Sequence, residues 1–265
     1  MGADTGTAVL ELYGGKVRLE FGEKDHKYLV SKLVKDDLWT IPSPVLGVTT
    51  ICGVISKPAL MTYPMNKALE YLKTRTEPLS DLDYRQARQA HIDHSNAGKK
   101  AGKVGHALIE ALLTGKTVKL PTDKELKAQI ESVQNVFNEW VEDFSPKILG
   151  TEQAVYSLLY DYAGTYDLLA EIDGKKYICD FKTTSPSYYN PDGIYAEYYC
   201  QLGGYLIAYE EQNEAEVDGA MIVNLPKDGS EYKVKGLEDI GKTMTDAKCY
   251  FLHALGLFNS NRDFN

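Results

Sequence analysis

The chain has 265 residues, of which 43% are hydrophobic and 25% are charged, and it carries a formal net charge of −9. This composition is that of an ordinary globular protein with one large domain or two small ones. The acidic balance argues against a protein that coats nucleic acid, but not against an enzyme whose basic residues are concentrated in one groove. No run reaches the ~18 apolar residues of a membrane helix, and the first residues lack a secretory signal pattern. We therefore expect a cytoplasmic protein without membrane contact.

The cysteines are Cys52, Cys179, Cys200 and Cys249, and no two of them form a Cys-x-x-Cys pair. Their wide spacing argues against a zinc site and against a compact iron–sulfur cluster. We expect reduced thiols that pack in apolar surroundings.

The first 90 residues predict small elements. The segment KVRLEFGEKDHKYLVS alternates about a glycine-containing centre and predicts a hairpin. PSPVLGVTTICGVIS predicts a β-rich or turn-rich segment that leads into a helix near PMNKALEYLKTR, and residues 74–84 predict a loop between subdomains. We divide the chain into an N-terminal extension, residues 1–90, and a core, residues 91–265.

Two helical stretches follow, at residues 84–114 and 124–144, and the first has a potential break at residues 95–98. Residues 95–127 contain seven lysines against three acidic residues. Such a run is most often a solvated helix face, but here it adjoins the candidate site described below.

The second half of the chain alternates between strands and helices. Strands are predicted at residues 152–160, 165–172 and 176–183, followed by a tyrosine-rich loop and a helix at 196–212. Two more strands, GAMIVNL and EYKVKGL, precede a C-terminal helix at residues 238–258. This order predicts an α/β (α+β) protein with a mixed central sheet flanked by helices.

Two aspartates are predicted to oppose each other across a hairpin. Asp173-Gly174 is a strong two-residue turn signal. Counting outward from this turn places Asp167 opposite Asp180, with Lys182 on the same face. Like charges in that arrangement are destabilising. One interpretation is that the register slips by one and the charges separate, or that the site is a surface charge cluster. The other is that a divalent metal such as Mg²⁺ or Mn²⁺ lies between the carboxylates, with Lys182 orienting or deprotonating a water molecule.

The helix KKAGKVGHALIEALLTGK is apolar nearly all round, which predicts that it is buried. His106 and Glu110 lie four residues apart on one of its faces and would need polar partners there. The alternative is a histidine that is satisfied within the core.

In the helix around YYCQLGGYLIAY, Gln201 and Tyr205 share one face. Gly203-Gly204 lies between them and costs the helix about 1 kcal/mol per glycine relative to alanine. We expect a neighbouring strand or a substrate backbone to approach closely there.

Four segments in chain order, GHALIE, GTYD, DFK and QLGGY, resemble the motifs of the PD-(D/E)XK nuclease superfamily. They look like the exonuclease branch with recombination helicase–nuclease domains, CRISPR-associated exonucleases, the mitochondrial genome maintenance exonuclease and phage exonucleases. The resemblance spans about residues 100–210 and implies a restriction-endonuclease-like core. VTTICGVISKPALMTYPMNKALEY is similar to the N-terminal region of phage members, which points to a phage or prophage origin.

The resemblance implies roles for individual residues. The implied catalytic set is Asp167, Asp180, Lys182, Gln201 and Tyr205. The implied metal ligands are His106, Asp167, Asp180 and the backbone carbonyl of Phe181, for Mg²⁺ or Mn²⁺. Lys182 would position the attacking water, Gln201 and Tyr205 would hold Lys182 or a substrate phosphate, and Glu110 and Glu152 are further candidates. The cysteines do not match the clustered cysteines of the iron–sulfur members, so no such cofactor is expected.

The implied substrate is linear DNA with a free strand end. Candidate DNA contacts are Lys99, Lys100, Lys103, Tyr188 and Tyr189, and nearby Tyr195, Tyr198 and Tyr199 are further aromatic residues. Aromatic rings in a groove would favour single-stranded DNA, because stacking tolerates any base. We therefore expect a metal-dependent deoxyribonuclease, an exonuclease without sequence specificity, that acts in recombination or repair beside a strand-annealing protein. The alternatives are a structure-specific or flap endonuclease and a catalytically silent nucleic-acid-binding module.

Overall fold

The structure is a computed structural model that describes residues 9–22, 27–35, 37–187 and 190–263. The strands are β1 (Val9–Leu12), β2 (Val17–Gly22), β3 (Lys27–Lys35), β4 (Leu38–Trp39), β5 (Ser43–Gly47), β6 (Lys147–Ser157), β7 (Tyr162–Ile172), β8 (Lys175–Lys182), β9 (Gly219–Asn224) and β10 (Lys233–Gly236). The helices are α1 (Val48–Cys52), α2 (Tyr63–Lys73), α3 (Asp81–Leu113), α4 (Lys124–Phe144), α5 (Ala196–Asn213) and α6 (Met244–Asp263). Mixed α/β architecture is therefore confirmed.

The strands form one mixed sheet in the order β1-β2-β3-β5-β7-β8-β9-β10, with β4 beside β3 and β6 beside β7. β5 and β7 are parallel, as are β8 and β9, and the other neighbours are antiparallel. The predicted N-terminal hairpin is the antiparallel pair β2–β3.

Strand β7 lies where the sheet divides. β6 pairs with β7 along residues 162–171, which occupies one whole edge of the strand. The other edge pairs with β5 at residues 162–163 and with β8 at residues 168–172. Residues 164–167 lie between these two ladders, so side chains from both faces of the sheet can reach the same place.

Helices cover both faces of the sheet. On one face, α1, α5 and α6 pack on β7, β8 and β9 through buried residues that include Val48, Leu206 and Phe251. On the other face, α3 and α4 pack on the same strands through Ile109 and Trp140, among others. Burial of these apolar side chains is the main stabilising contribution to the fold, and it fixes α3 and α5 on opposite sides of the gap in the sheet.

Several element boundaries differ from the sequence prediction for local reasons. Helix α3 begins at Asp81, inside the predicted loop, because Ser80 and Asp83 form a capping box. It has no break at residues 95–98. Helix α6 begins at Met244 instead of residue 238, because Gly241 is left-handed at φ 66° and Thr243 caps the helix by accepting from the Asp246 N–H.

The N-terminal residues belong to the same sheet as the core. Strands β1–β3 and β5 extend it, and their buried side chains pack against Tyr156 and Ala163 of β6 and β7. The predicted division at residue 90 falls inside helix α3.

The prediction that the helix carrying His106 is buried is wrong. It buries one stripe of side chains, including Ala101, Leu108 and Ile109, while Ala107 and Lys103 are exposed. The apolar part of this segment is wider than the surface that packs on the sheet. Ala107, an apolar residue that is left exposed there, is small, so its exposure costs little.

Three cysteines pack as expected, and one does not. Cys52, Cys179 and Cys200 are buried, with the Cys52 and Cys200 sulfurs 3.1 Å apart, whereas Cys249 is exposed on α6. Within the described ranges, no helix is long and apolar enough to cross a bilayer.

Candidate active site

The hairpin β7–β8 has the register predicted from its turn. Asp173 and Gly174 have φ angles of 51° and 76°, as a type I′ turn requires. The ladder runs without a slip from Ile172 opposite Lys175 to Leu168 opposite Cys179. One step further, Asp167 turns its side chain to β8, where its Oδ2 accepts a hydrogen bond of 2.6 Å from the Phe181 N–H. The aspartate thus lies at the fork of the sheet.

Glu152 faces Asp167 from the other neighbouring strand. The β6–β7 ladder pairs Thr151 with Leu168 and Gln153 with Tyr166, which leaves Glu152 opposite Asp167. Glu152 has a left-handed φ of 47°, a conformation that is uncommon and strained for a residue with a side chain. Strain of this kind accumulates at functional sites.

His106 reaches the same cluster from α3. Its Nδ1 lies 3.6 Å from the Asp167 Oδ1. One ligand atom each from His106, Glu152 and Asp167 lie within 4.8 Å of one another. A buried face of α3 positions the histidine, since Gly105 beside it packs against Thr183 and Val133.

Asp180 and Lys182 form an ion pair next to this group. Asp180 is 2% exposed and Lys182 is largely buried. The Lys182 ammonium also donates a hydrogen bond of 3.0 Å to the Gln201 Oε1 on α5 and lies 4.8 Å from the centre of the Tyr198 ring. The lysine is therefore held in place by a carboxylate, an amide and an aromatic ring.

Burial and neighbouring charges shift the pKa values of the carboxylates in this cluster. Burial, followed by the charge of Asp167, raises the pKa of Glu152 to about 7, although part of the side chain faces solvent. Burial also raises the pKa of Asp180 to about 6, with Asp167 adding to the shift and Lys182 opposing it. Burial alone would raise the pKa of Asp167 and lower that of His106, but their mutual attraction reverses both shifts.

This donor set fits a divalent cation. Carboxylate oxygens and an imidazole nitrogen suit Mg²⁺, Mn²⁺ and other divalent ions. Burial is the main cause of the raised pKa values of Glu152 and Asp180, and a bound cation would favour the charged form of both carboxylates. His106, Glu152 and Asp167 form the group with suitable spacing, and Asp180 adjoins it.

The remaining predicted residues lie at varying distances from the cluster. Tyr205 is 3% exposed and packs close to Gly164, but within the described ranges no hydrogen bond joins its hydroxyl to Lys182. Glu110 is half-buried on α3, and its charge contributes to the raised pKa of Glu152. Lys99, Lys100 and Lys103 are exposed on α3. Tyr188 and Tyr189 lie outside the described residues.

The predicted partner of the glycine pair is wrong. A Cβ on Gly203 would lie 2.0 Å from the Ala247 backbone oxygen, and one on Gly204 would lie 2.7 Å from the Phe251 ring. Both contacts belong to helix α6, so neither a strand nor a substrate backbone occupies that space. The sequence predicted the C-terminal helix but not its contact with this glycine pair, because spacing along one helix does not identify the element that packs on it.

Sequence reasoning named Tyr198 as an aromatic residue near the candidate DNA contacts, but it did not place this residue beside Lys182. Its hydroxyl lies 3.1 Å from the Thr184 Oγ1, and its ring faces Lys182. The available signal was its position three residues before Gln201, which places both side chains on one face of α5.

Comparison with known families agrees with this geometry. The family model of the PD-(D/E)XK nuclease superfamily matches residues 69–254, and the chain belongs to this superfamily. Its members generally use divalent metals, and membership implies a DNA substrate. No curated protein matches the chain.

Proposed function

We propose that this protein is a metal-dependent DNA exonuclease that hydrolyses phosphodiester bonds without sequence specificity. The observation that carries the proposal is the grouping of Glu152 and Asp167 with His106, next to Asp180, which pairs with a lysine held by Gln201. His106 adds a nitrogen ligand from α3, which lies on the other face of the sheet from α5. Mg²⁺ or Mn²⁺ is the proposed cation, because both prefer carboxylate oxygen and substrate phosphate ligands.

The reaction adds water across a phosphorus–oxygen bond. Water attacks the phosphorus, the bond to the leaving sugar oxygen breaks, and that oxygen takes up a proton. Lys182 is proposed to orient the attacking water, since its ammonium lies beside Asp180 and is fixed by Gln201. Asp167 is fixed in turn by the Phe181 N–H. Preorganised groups of this kind stabilise developing charge without further rearrangement.

His106, Glu152, Asp167 and Asp180 are the proposed holders of the cation, with the Phe181 carbonyl as a further ligand. A bound divalent ion would supply a more acidic water molecule and offset negative charge on the phosphoryl oxygens. Glu110 and Tyr205 are proposed to act on the charge and shape of the site from further out.

The proposed substrate is the end of a linear strand, single-stranded DNA included. The exposed lysines Lys99, Lys100 and Lys103 on α3 precede His106 by one to two turns, so they support contact with substrate phosphates. The proposed setting is phage or prophage recombination or repair in the cytoplasm, the host's if the gene is carried by a phage, beside a strand-annealing protein. The sequence resemblance to phage exonucleases supports this setting.

The test is digestion of end-labelled single-stranded, double-stranded and covalently closed circular DNA with Mg²⁺, Mn²⁺ or EDTA. The variants are Lys182→Ala and the matched control Lys175→Ala. Lys175 is an exposed lysine at the opposite end of β8, about 23 Å from Lys182 at the usual rise per residue. The expected result is metal-dependent loss of linear DNA that Lys182→Ala abolishes and Lys175→Ala preserves.

Other outcomes assign a different function. Cleavage of the closed circle would identify an endonuclease and contradict the exonuclease proposal. Binding without turnover by the unmodified protein, with no effect of Lys182→Ala, would identify a catalytically silent module.

A further inference from the structure

A cavity of about 720 Å³ adjoins the candidate active site. This volume lies within the ~300–1,000 Å³ range of ligand pockets. Its walls come from helices α2 and α3, from the start of α4, and from the loops that follow β8 and β9. Helix α2 belongs to the N-terminal part of the chain, to which the sequence assigned no role.

Two tyrosines line the cavity and offer rings on which a base can stack. Tyr63 of α2 lines the cavity, and its hydroxyl shares a hydrogen bond of 2.7 Å with the His94 Nδ1 of α3. The two rings meet edge to face with centres 5.8 Å apart. Tyr195, at the start of α5, also lines the cavity. The rings are therefore held in place before any ligand binds.

The cavity is connected to Lys182 through two ring contacts. The Tyr195 ring stands edge to face on Tyr198 at 5.6 Å, and the Tyr198 ring faces the Lys182 ammonium at 4.8 Å. Thr184, another wall residue, follows Lys182 by two positions and contacts the Tyr198 hydroxyl. A strand whose phosphate is at Lys182 would thus have a neighbouring nucleotide at the cavity.

The loop between Lys182 and the cavity is fixed by a buried amide. Asn224 is fully buried, and its side chain accepts from the Thr184 N–H at 2.9 Å and donates to the Thr184 carbonyl at 2.8 Å. It also donates to the Asp192 carbonyl at 3.0 Å. Because Thr184 and Asp192 are held in this way, a ligand would not bear the cost of ordering these two positions.

The charges in the wall favour a base over a chain of phosphates. Lys67 is paired with Glu70 at 2.7 Å. Lys227 is half-buried, and within the described ranges no carboxylate pairs with it. Glu125 and Asp228 also line the cavity and are exposed, so the wall carries no net positive charge. Among the described residues of this wall, Lys227 is the lysine without a carboxylate in an ion pair, which matches one nucleotide with a single phosphate.

The cavity has the volume of a pocket for one small ligand. An unstacked base with its sugar fits this space, and stacking on tyrosine accepts any base.

We infer that this cavity binds one unstacked nucleotide of a single-stranded end, with the base on Tyr63 or Tyr195 and the phosphate at Lys227. The inference rests on the proposed nuclease function and adds a substrate subsite to it. It makes the single-stranded end the substrate and gives α2 of the N-terminal part a role in binding it.

The test measures binding of fluorescent oligothymidine to the Lys182→Ala protein in Mg²⁺, so that the strand is not consumed. In this background, Tyr195→Ala is compared with Tyr195→Phe, and Lys227→Gln with Lys175→Gln. Loss of one stacked base is expected to weaken binding about 5-fold or more, whereas Tyr195→Phe keeps the ring and binds as before. Lys227→Gln is expected to weaken binding and to lower the salt dependence by about one phosphate contact, with Lys175→Gln unchanged.

A strand with a single abasic site, moved stepwise along the oligonucleotide, locates the nucleotide. At one position the abasic strand is expected to bind as weakly as the intact strand binds Tyr195→Ala, and the two changes together are expected to add nothing further. Thermal melting of each variant checks that the fold is intact. If Tyr195→Ala unfolds the protein, Tyr63→Leu replaces it in the same scheme.

The failures of the inference and of the proposed function are distinguishable. Cleavage by the unmodified protein together with unchanged binding by Tyr195→Ala, Tyr63→Leu and Lys227→Gln would overturn the subsite alone. Preference for a blunt duplex over a single strand would also overturn it, while leaving the nuclease proposal intact. Absence of both cleavage and binding would overturn the proposed function and the subsite with it.

Discussion

The Gln201 side chain on helix α5 accepts a hydrogen bond of 3.0 Å from the Lys182 ammonium on strand β8. Gln201 is 4% exposed and belongs to the buried residues of α5. The glutamine therefore helps to fix the position of Lys182, which in turn pairs with Asp180 of the acidic cluster. Two segments 19 residues apart in sequence form one functional unit.

Gln201→Ala is expected to lower kcat about 10- to 100-fold, as loss of an outer supporting residue commonly does. The Michaelis constant should change little, because the amide contacts Lys182 and not the strand. The measurement is steady-state hydrolysis of a labelled linear strand by Gln201→Ala, Lys182→Ala and the double variant. Since Gln201 acts through Lys182, the double variant should be no slower than Lys182→Ala. A further loss in the double variant would contradict this role.

Glu152 combines a left-handed backbone with a carboxylate in the cluster. Glu152→Gly is expected to stabilise the metal-free protein by about 1 kcal/mol, because glycine adopts a positive φ without strain. The same change should weaken Mn²⁺ binding, because one ligand is lost. Urea unfolding in EDTA and calorimetric Mn²⁺ titration measure the two effects. Glu152→Gln is the control that removes the charge and keeps the strain, and undiminished Mn²⁺ affinity in both variants would exclude Glu152 as a ligand.

The stability of the metal-free protein is expected to fall as the pH rises from about 5 to about 8. The folded-state pKa values of Glu152, about 7, and Asp180, about 6, lie above the values of free carboxyl groups. At a pH between the unfolded-state pKa and the folded-state pKa of such a group, the folded state binds more protons than the unfolded state. Each unit by which the pH rises there lowers the free energy of unfolding. The raised pKa of His106 acts in the same direction.

Protons and a divalent cation compete for these groups. The rise in melting temperature on adding Mn²⁺ should therefore grow over the same pH range. Thermal melts in EDTA and in Mn²⁺ at pH 5.5, 6.5, 7.5 and 8 would measure both trends. A melting temperature in EDTA that rises steadily across this range would contradict the raised pKa values of Glu152 and Asp180.

Gly203→Ala is expected to destabilise the protein by about 3 kcal/mol, at the upper end of the usual cost of overpacking. The added Cβ would meet the Ala247 backbone, which cannot rotate away as a side chain can. Gly256→Ala is the matched control, because Gly256 lies in helix α6 with open space around its Cβ direction. That variant should gain up to about 1 kcal/mol from helix propensity. Urea unfolding measures both, and equal stability of the two variants would contradict the close approach of α5 and α6.

Local sequence signals determined much of the fold. The Asp173-Gly174 turn and the two-residue period of its strands determined the register that brings Asp167 to β8. The helix at residues 124–144 was predicted with its observed bounds. In the structure, Asp123 caps its start, and Ser145, which is left-handed, ends it. Such features depend on neighbouring residues, so they can be derived from one sequence without knowledge of distant segments.

The tertiary structure alone decided which distant segments meet. The position of Glu152 opposite Asp167 depends on the β6–β7 pairing, whose first residues the sequence did not assign to a strand. The contact of Gly203 with α6 and the cavity bounded by α2 depend on how helices pack on the sheet. The family resemblance implied a contact between Gln201 and Lys182 or a substrate phosphate, and the packing of α5 on β8 brings Gln201 to the lysine. Helical spacing identifies which side chains share a face, but the partner of that face is set by burial across the whole molecule.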